Sequence, residues 1–291
     1  MVQILFASLA MAGRFVLREL PAGGLVLMRV VGASLVLVAI NWLRGGPWVR
    51  RRPDLAWLTL LGLLGIAANQ SLFLFGLRYS TAINATILVA TTPVFTVLGS
   101  VLLGREPASP MKFAGIALAA AGTVYLIGPD RISLAPEVAL GNALIVLGMI
   151  CYAAYFLLSK RLVGRYDSLT MTTYVMLGAI VGVLPVGMGG LLDLHPAQVR
   201  PITWMWAGYI VVFPTICTYL LNLWALRRVS SNVVASFIYL QPILTAAIAP
   251  LVLTGEHLTV RVVAAGLTIF AGLGFVLWAE WRQHWEVPLP E

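Results

Sequence analysis

The sequence is poor in charge. Only 10% of its 291 residues are charged, whereas 60% are hydrophobic; soluble domains have about 25% charged and about 45 to 50% apolar residues. This composition excludes an ordinary soluble protein. It also excludes a disordered chain, because disorder requires low hydrophobicity and high charge. The chain is therefore predicted to be an all-α integral membrane protein with several spanning helices.

Residues that carry enzyme and metal chemistry are scarce as well. The two cysteines, Cys151 and Cys217, lie inside apolar stretches, where thiols are usually buried as small apolar groups. The sequence has no disulfide framework, metal-ligand spacing, Gly-rich phosphate loop or nucleophile elbow. We therefore expect a protein that is not an enzyme and that uses no metal or cofactor.

Apolar runs long enough to cross a bilayer dominate the chain. A spanning helix needs about 20 mostly apolar residues, and short polar breaks separate ten such runs. The runs cover residues 2–18, 23–43, 55–77, 83–103, 112–128, 139–158, 169–192, 204–226, 233–253 and 260–279. We predict ten transmembrane helices.

The positions of the charged residues indicate how the chain crosses the membrane. A formal charge of +8 could indicate a nucleic-acid partner, but nearly all charges lie in the gaps between apolar runs. Twelve Lys and Arg residues fall on one side of the predicted membrane and five on the other. The positive-inside rule then places both termini in the cytoplasm of a multi-pass bacterial inner-membrane protein. The lipid bilayer is the expected environment, and no nucleic acid is expected to bind.

The chain contains an internal repeat. Segment 76–82 resembles segment 225–231, and Pro93 and Pro242 have the same separation of 149 residues. We therefore predict two five-helix repeats, residues 1–130 and 137–286. An odd number of spans makes the second repeat inverted relative to the first. Inverted repeats are typical of transporters, which bind substrate near the midplane between the repeats.

Several short motifs recur along the chain. They are Leu27-Met28-Arg29, the stretch 82–93 ending in Thr92-Pro93, Gly104-Arg105-Glu106 followed by Gly115 and Gly122, and the second-half counterparts ending in Gln241-Pro242 and Gly255-Glu256. In these motifs the sequence resembles the ten-helix EamA-type members of the drug/metabolite transporter superfamily. The resemblance covers essentially the whole chain, and within the family it is closest to the aromatic amino-acid exporters of the YddG type.

The resemblance implies a central cavity and export of small amphipathic metabolites, with aromatic or other neutral amino acids as the leading substrates. Organic cations or drugs and nucleotide-sugar-like metabolites are alternatives, as are a membrane-embedded enzyme and a nonselective pore. No acidic residue or histidine lies inside a predicted span, and proton relays usually need such groups. We therefore expect facilitated diffusion or exchange by alternating access.

Polar and aromatic residues inside the spans are the candidate substrate contacts. Asn69 and Phe73 share one face of the third run, and Asn222 occupies the position 149 residues after Phe73. Asn69 and Asn222 either line the cavity or form interhelical hydrogen bonds. The further candidates are Asn84 and Thr91 on the fourth run, Ser236 and Tyr239 on the ninth, and the phenols Tyr79, Tyr155 and Tyr174, with Tyr152 beside them.

Arg14 and Arg29 are the cations most deeply placed in the predicted spans. An arginine inside the membrane is costly unless it is paired or hydrated. Each is either the partner of a substrate carboxylate or a structural residue that pairs with Glu19 or caps helix-end carbonyl oxygens. Gly115, Ala119 and Gly122 form a small-residue face for close helix contact, within one protomer or across a dimer. The oligomeric state stays open, and a monomer is compatible with the sequence.

Overall fold

The fold is helical throughout the described part of the chain. The computed structural model describes residues 1–80, 88–127, 136–192, 194–241, 243–244 and 260–285, and these residues contain no β-strand. The helices are α1 (Val2–Val16), α2 (Ala22–Leu43), α3 (Arg52–Gly62, Leu63–Ala68 and Asn69–Tyr79), α4 (Thr92–Leu102), α5 (Pro110–Ile127), α6 (Pro136–Val163), α7 (Ser168–Leu192), α8 (Pro201–Val211, Val212–Cys217 and Thr218–Leu226), α9 (Ser231–Ser236, continued by the 3-10 turn Phe237–Tyr239) and α10 (Val260–Trp285). A separate 3-10 turn covers Pro196–Gln198.

Six helices in the described residues are long and apolar enough to cross a membrane. They are Ala22–Leu43, Arg52–Gly76, Val138–Val163, Ser168–Gly190, Pro201–Leu226 and Val263–Arg282. The predicted runs 83–103 and 233–253 extend into residues outside the described ranges. The last helix continues to Trp285, past the predicted end at residue 279, so Glu280 belongs to α10 rather than to a loop.

Two helices change their winding at matching positions. The middle part of α3, Leu63–Ala68, and the middle part of α8, Val212–Cys217, are π-helical. The two segments are separated by 149 residues, the spacing of the sequence repeat. Because π-turns are rare and occur often at functional sites, their presence at both positions directs attention to the region where α3 and α8 meet.

Helices of the two sequence halves pack against each other. Helix α2 lies along α7, and α5 lies along α10, while α3 packs on α6 and α8 packs on α1. On α5 and α10 the contact is close, because a Cβ added to Gly115 would lie 2.7 Å from the main-chain oxygen of Gly272. The small-residue face of α5 therefore serves packing within the protomer.

The main hydrophobic core lies among α2, α3, α6, α7, α8 and α9. Its largest fully buried member is Tyr155, which stands beside Phe156 on α6 and among aliphatic side chains such as Leu61 on α3 and Val175 on α7. This core surrounds the π-helical parts of α3 and α8, and it holds the cluster of tyrosines described next.

Candidate substrate site

Three tyrosines meet where α3, α6 and α8 converge. The ring of Tyr155 stacks on that of Tyr152 at 5.9 Å and meets the ring of Tyr219 edge-on at 6.1 Å. Residues 152 and 155 share a face because they are three positions apart on one helix. We call Tyr152, Tyr155 and Tyr219 the tyrosine cluster.

Gly65 allows the tyrosine cluster to approach α3. A methyl group at Gly65 would lie within 3.0 Å of three atoms of the Tyr155 side chain, which is fully buried. Gly65 belongs to the π-helical part of α3, and its main-chain oxygen accepts a hydrogen bond from the hydroxyl of Tyr219 over 3.1 Å. The unusual winding of α3 thus presents a main-chain polar group to the cluster.

Amide side chains complete the polar surface of the cluster. The Nδ2 of Asn222 donates to the hydroxyl of Tyr152 over 3.3 Å, and the side chain of Gln70 contacts Tyr219. The Oε1 of Gln70 and the hydroxyl of Tyr155 are buried with no partner at hydrogen-bond distance among the described residues, and the side chain of Ser159 is the polar neighbour of that hydroxyl. Buried polar groups are costly when unsatisfied, so a polar ligand at these two atoms would relieve that cost.

Arg29 brings a positive charge to the same region. It lies on α2, is 8% exposed, and its Nε donates to the Oγ1 of Thr215 over 3.0 Å. Thr215 belongs to the π-helical part of α8, and Tyr219 is close enough to interact electrostatically with Arg29. Within the described residues no carboxylate pairs with Arg29, and Glu19 pairs with Arg200 instead. An intramembrane cation in this position suits an anionic ligand group.

Four of the other predicted contacts make local or interhelical hydrogen bonds. Asn69 donates its Nδ2 to the main-chain oxygen of Gly148 over 3.0 Å, which ties α3 to α6. The hydroxyl of Tyr174 accepts from the main-chain nitrogen of Val49 over 3.1 Å, at the end of the α2–α3 connection. The hydroxyls of Thr91 and Ser236 donate to main-chain oxygens of their own segments, at Leu88 and Asn232.

The remaining predicted contacts lie apart from the tyrosine cluster or outside the described atoms. Tyr239 is fully buried in a second core with residues of α4, α5 and α10, and its hydroxyl has no hydrogen-bond partner among the described residues. Phe73 is half-buried, and Tyr79 is exposed. Asn84 lies outside the described residues, as does the side chain of Arg14.

The sequence predicts Tyr152, Tyr155, Asn222 and Arg29 as candidate contacts, but it does not single out Gln70 and Tyr219. These two residues are 149 positions apart, which is the spacing of the repeat. The repeat indicates which residues correspond, but it leaves open which face points inward. Asn69 and Gln70 differ by about 100° around the helix, and only the packing shows that Gln70 is the one facing Tyr219.

Comparison with known proteins identifies the class of molecule that carries this site. A solved crystal structure matches 97% of this chain and 96% of its own chain with a TM-score of 0.80 at 18% identity, which shows a common fold. The model of the EamA-like transporter family matches residues 1–128 and 139–278. The protein is a membrane transporter, and the chain belongs to the EamA-like transporter family.

Individual relatives agree with this assignment. An uncharacterized transporter of Archaeoglobus fulgidus is 29% identical over 248 residues, covering 82% of this chain and 83% of the relative. The uncharacterized inner membrane transporter YedA of Escherichia coli is 26% identical over 253 residues, covering 84% and 78%. A probable terminal-alkyne amino-acid exporter of Streptantibioticus cattleyicolor is 31% identical over 169 residues, covering 56% and 54%.

Proposed function

We propose that this transporter exports small amphipathic metabolites, with aromatic or other neutral amino acids as the leading substrates. The observation that carries the proposal is the juxtaposition of Arg29, which has no carboxylate partner in the described residues, with the buried tyrosine cluster. A substrate carboxylate suits the guanidinium, and an aromatic side chain suits the tyrosine rings. The amino-acid exporter among the relatives supports the same class.

The polar groups of the site also suit an amino acid. A substrate ammonium requires hydrogen-bond acceptors, and the Oε1 of Gln70 and the hydroxyl of Tyr155 are the buried atoms left for it. An organic cation without a carboxylate would leave Arg29 unpaired and would add a second positive charge nearby. A nucleotide sugar carries two phosphates and would require more than one buried cation.

For the transport mechanism we propose ten spanning helices in two inverted repeats, residues 1–130 and 137–286, with both termini in the cytoplasm of an inner-membrane protein. Two observations support the arrangement. The π-helical segments of α3 and α8 recur at the repeat spacing. Ion pairs also join connections that lie on the same side of the membrane when successive helices cross it in alternate directions. Arg44 pairs with Asp167 and Arg165 pairs with Asp54 on one side, and Glu19 pairs with Arg200 on the other.

Substrate would then reach the site alternately from each face as one repeat rocks against the other. The direction of net flux would follow the gradient of the substrate itself, as facilitated diffusion or exchange. A ligand shifts such an equilibrium only through its different affinity for the two states, so export requires no other energy source when synthesis keeps the internal concentration high.

Counterflow in liposomes tests the proposed function. Purified protein is reconstituted in liposomes preloaded with unlabelled L-phenylalanine, and uptake of labelled L-phenylalanine is measured. L-phenylalaninamide, which lacks the carboxylate, is the matched probe for the role of Arg29. We expect saturable counterflow with phenylalanine and little with the amide. Equal counterflow of both compounds, or of organic cations alone, would reject an amino-acid exporter, and unsaturable flux would indicate a pore.

A further inference from the structure

A cavity lies at the end of the helices that is predicted to be cytoplasmic. It has a volume of about 420 Å³ and is bounded by the α4–α5 connection, the end of α6, the turn between α8 and α9, and α10. We call it the end pocket. It adjoins the region of the tyrosine cluster, because Leu157 lines it and Ser231, another lining residue, donates to the main-chain oxygen of Phe156.

The carboxylates of the end pocket are already engaged. Glu106 and Glu280 each lie 2.6 Å from the ammonium of Lys112, which is 1% exposed. Asn232 also donates to Glu106 over 2.6 Å. Two of the pocket's acidic groups therefore share a buried lysine, and they are held in place by contacts from α5 and α9.

Among the described residues, the cations that line the end pocket form no direct ion pair with a carboxylate, although Lys160 is attracted electrostatically to Glu106 and Glu280. Arg105 and Lys160 donate to main-chain oxygens, at Leu157 for the first and at Leu226 and Val229 for the second. Arg228 stacks over Trp224 at 3.7 Å and donates to its main-chain oxygen.

A surplus of positive charge results. Arg227 also lines the pocket, and among the described residues none of Arg105, Lys160, Arg227 and Arg228 forms an ion pair with a carboxylate. Carbonyl oxygens satisfy the hydrogen-bonding needs of a cation but do not neutralise it. The two carboxylates of the pocket are shared by Lys112 and Lys160, so a positive surplus remains that an oxyanion would offset.

We propose that the end pocket binds an anionic group, a carboxylate or a phosphate ester. Its volume can hold an amino acid or a lipid headgroup. Its lining residue Ser231 contacts Phe156, whose ring is next to that of Tyr155, so a substrate carboxylate held here would lie near the tyrosine cluster. A phosphodiester of an acidic phospholipid presents the same oxyanion chemistry. The carboxylate form of the proposal rests on the proposed function, whereas the binding site itself does not.

The test measures binding to the purified full chain in phosphatidylcholine nanodiscs at constant salt. The probes are phosphatidylglycerol mixed into the bilayer, L-phenylalanine in solution, and L-phenylalaninamide. The shift of the thermal unfolding midpoint with probe concentration gives an apparent Kd. The test variant is Arg227→Gln with Arg228→Gln, both exposed residues. The matched control is Arg50→Gln with Arg52→Gln, exposed arginines on the same predicted side that do not line the pocket.

We expect at least one of the two probes that carry an oxyanion, phosphatidylglycerol or L-phenylalanine, to stabilise the protein, with an apparent Kd that the Arg227/Arg228 variant weakens about tenfold, equivalent to about 1.4 kcal/mol. The control should stay within about twofold. An effect on phosphatidylglycerol alone assigns the site to a headgroup, and an effect on phenylalanine but not on its amide assigns it to the substrate. Equal weakening in the test and control variants, or no anion-dependent stabilisation, would overturn the proposal.

The binding and counterflow experiments distinguish failure of the end-pocket proposal from failure of the proposed function. Intact phenylalanine counterflow with unchanged binding in the Arg227/Arg228 variant rejects only the anion site. Absent counterflow with anion binding that depends on Arg227 and Arg228 rejects only the amino-acid exporter.

Discussion

The hydroxyl of Tyr219 donates to the main-chain oxygen of Gly65 over 3.1 Å, joining the π-helical part of α3 to α8. The same glycine gives room to the buried ring of Tyr155. One residue without a side chain therefore supports both a hydrogen bond and an aromatic contact in the tyrosine cluster. This double role makes Gly65 the most sensitive position at which to test the cluster.

Gly65→Ala should destabilise the protein and impair transport. The added methyl group would meet the Tyr155 side chain, and overpacking of this kind costs about 1 to 3 kcal/mol. Gly208→Ala on α8 is the control, because a Cβ there would meet nothing within 4 Å. Unfolding in denaturant and counterflow are the measurements. Equal stability of the two variants would show that Tyr155 does not pack against Gly65.

Asn69→Ala and Asn222→Ala should differ in their effects. Asn69 joins α3 to α6 through the main-chain oxygen of Gly148, and loss of such a bond costs about 0.6 kcal/mol on average. Asn222 holds the hydroxyl of Tyr152 in the tyrosine cluster. We expect Asn222→Ala to raise the KM of counterflow severalfold and Asn69→Ala to lower thermal stability slightly with a smaller change in KM. The reverse pattern would place the substrate nearer Asn69.

The helices begin and end close to the predicted apolar runs wherever the structure describes the run in full. The run 23–43 corresponds to helix Ala22–Leu43, and the run 169–192 to Ser168–Leu192, because apolar length and polar breaks determine where a membrane helix can lie. The site was less accessible to prediction. Gly65 and Thr215 lie in π-helical turns, which hydrophobic periodicity does not reveal, and their contacts depend on how α3 and α8 pack.

Topology reporters test the predicted orientation. A reporter fused after Glu291 should be cytoplasmic, and one inserted near His195 should be periplasmic, because twelve Lys and Arg residues fall on the side of the termini and five on the other. His195 lies beside the connection whose Arg200 pairs with Glu19. Reporters on the same side of the membrane would reject the three spans predicted between His195 and Glu291, and with them the inverted arrangement.

Asp167 should contribute to stability at neutral pH and lose this contribution in acid. Its Oδ1 accepts from the main-chain nitrogens of Leu169 and Thr170, and it pairs with Arg44 at 2.6 Å. Burial raises its pKa, but the hydrogen bonds from Thr170 and the charge of Arg44 outweigh burial and hold the pKa below its usual value. The stabilisation is therefore complete above the unfolded pKa of about 3.9 and is lost as pH falls through the lower folded pKa.

Two substitutions separate the contributions of Asp167. Asp167→Asn keeps a good helix N-cap but removes the charge, so it should lower stability at neutral pH by less than about 1 kcal/mol. Asp167→Ala removes the cap too and should cost about 1 kcal/mol more. The measurement is the thermal unfolding midpoint in detergent between about pH 3 and about pH 7. If the unfolding midpoint of Asp167→Asn falls in acid as much as that of the unmodified protein, the Asp167 carboxylate is not the cause of the pH dependence.

Coupling of transport to protons would require a titratable group at the substrate site. The described residues of the tyrosine cluster and its polar neighbours include no Asp, Glu or His, so the site offers no group whose protonation readily differs between its two faces. The half-buried carboxylates Glu106 and Glu280 line the end pocket instead, where both pair with Lys112.

Transport should therefore be independent of an imposed pH gradient. Proteoliposomes with and without the gradient are compared at zero membrane potential, and labelled phenylalanine is expected to reach equilibrium but not exceed it. Accumulation above equilibrium that an ionophore abolishes would instead establish proton coupling. In that case Glu280→Gln, which removes one carboxylate of the end pocket, tests whether the coupling proton binds there: loss of accumulation with intact counterflow would assign it to Glu280.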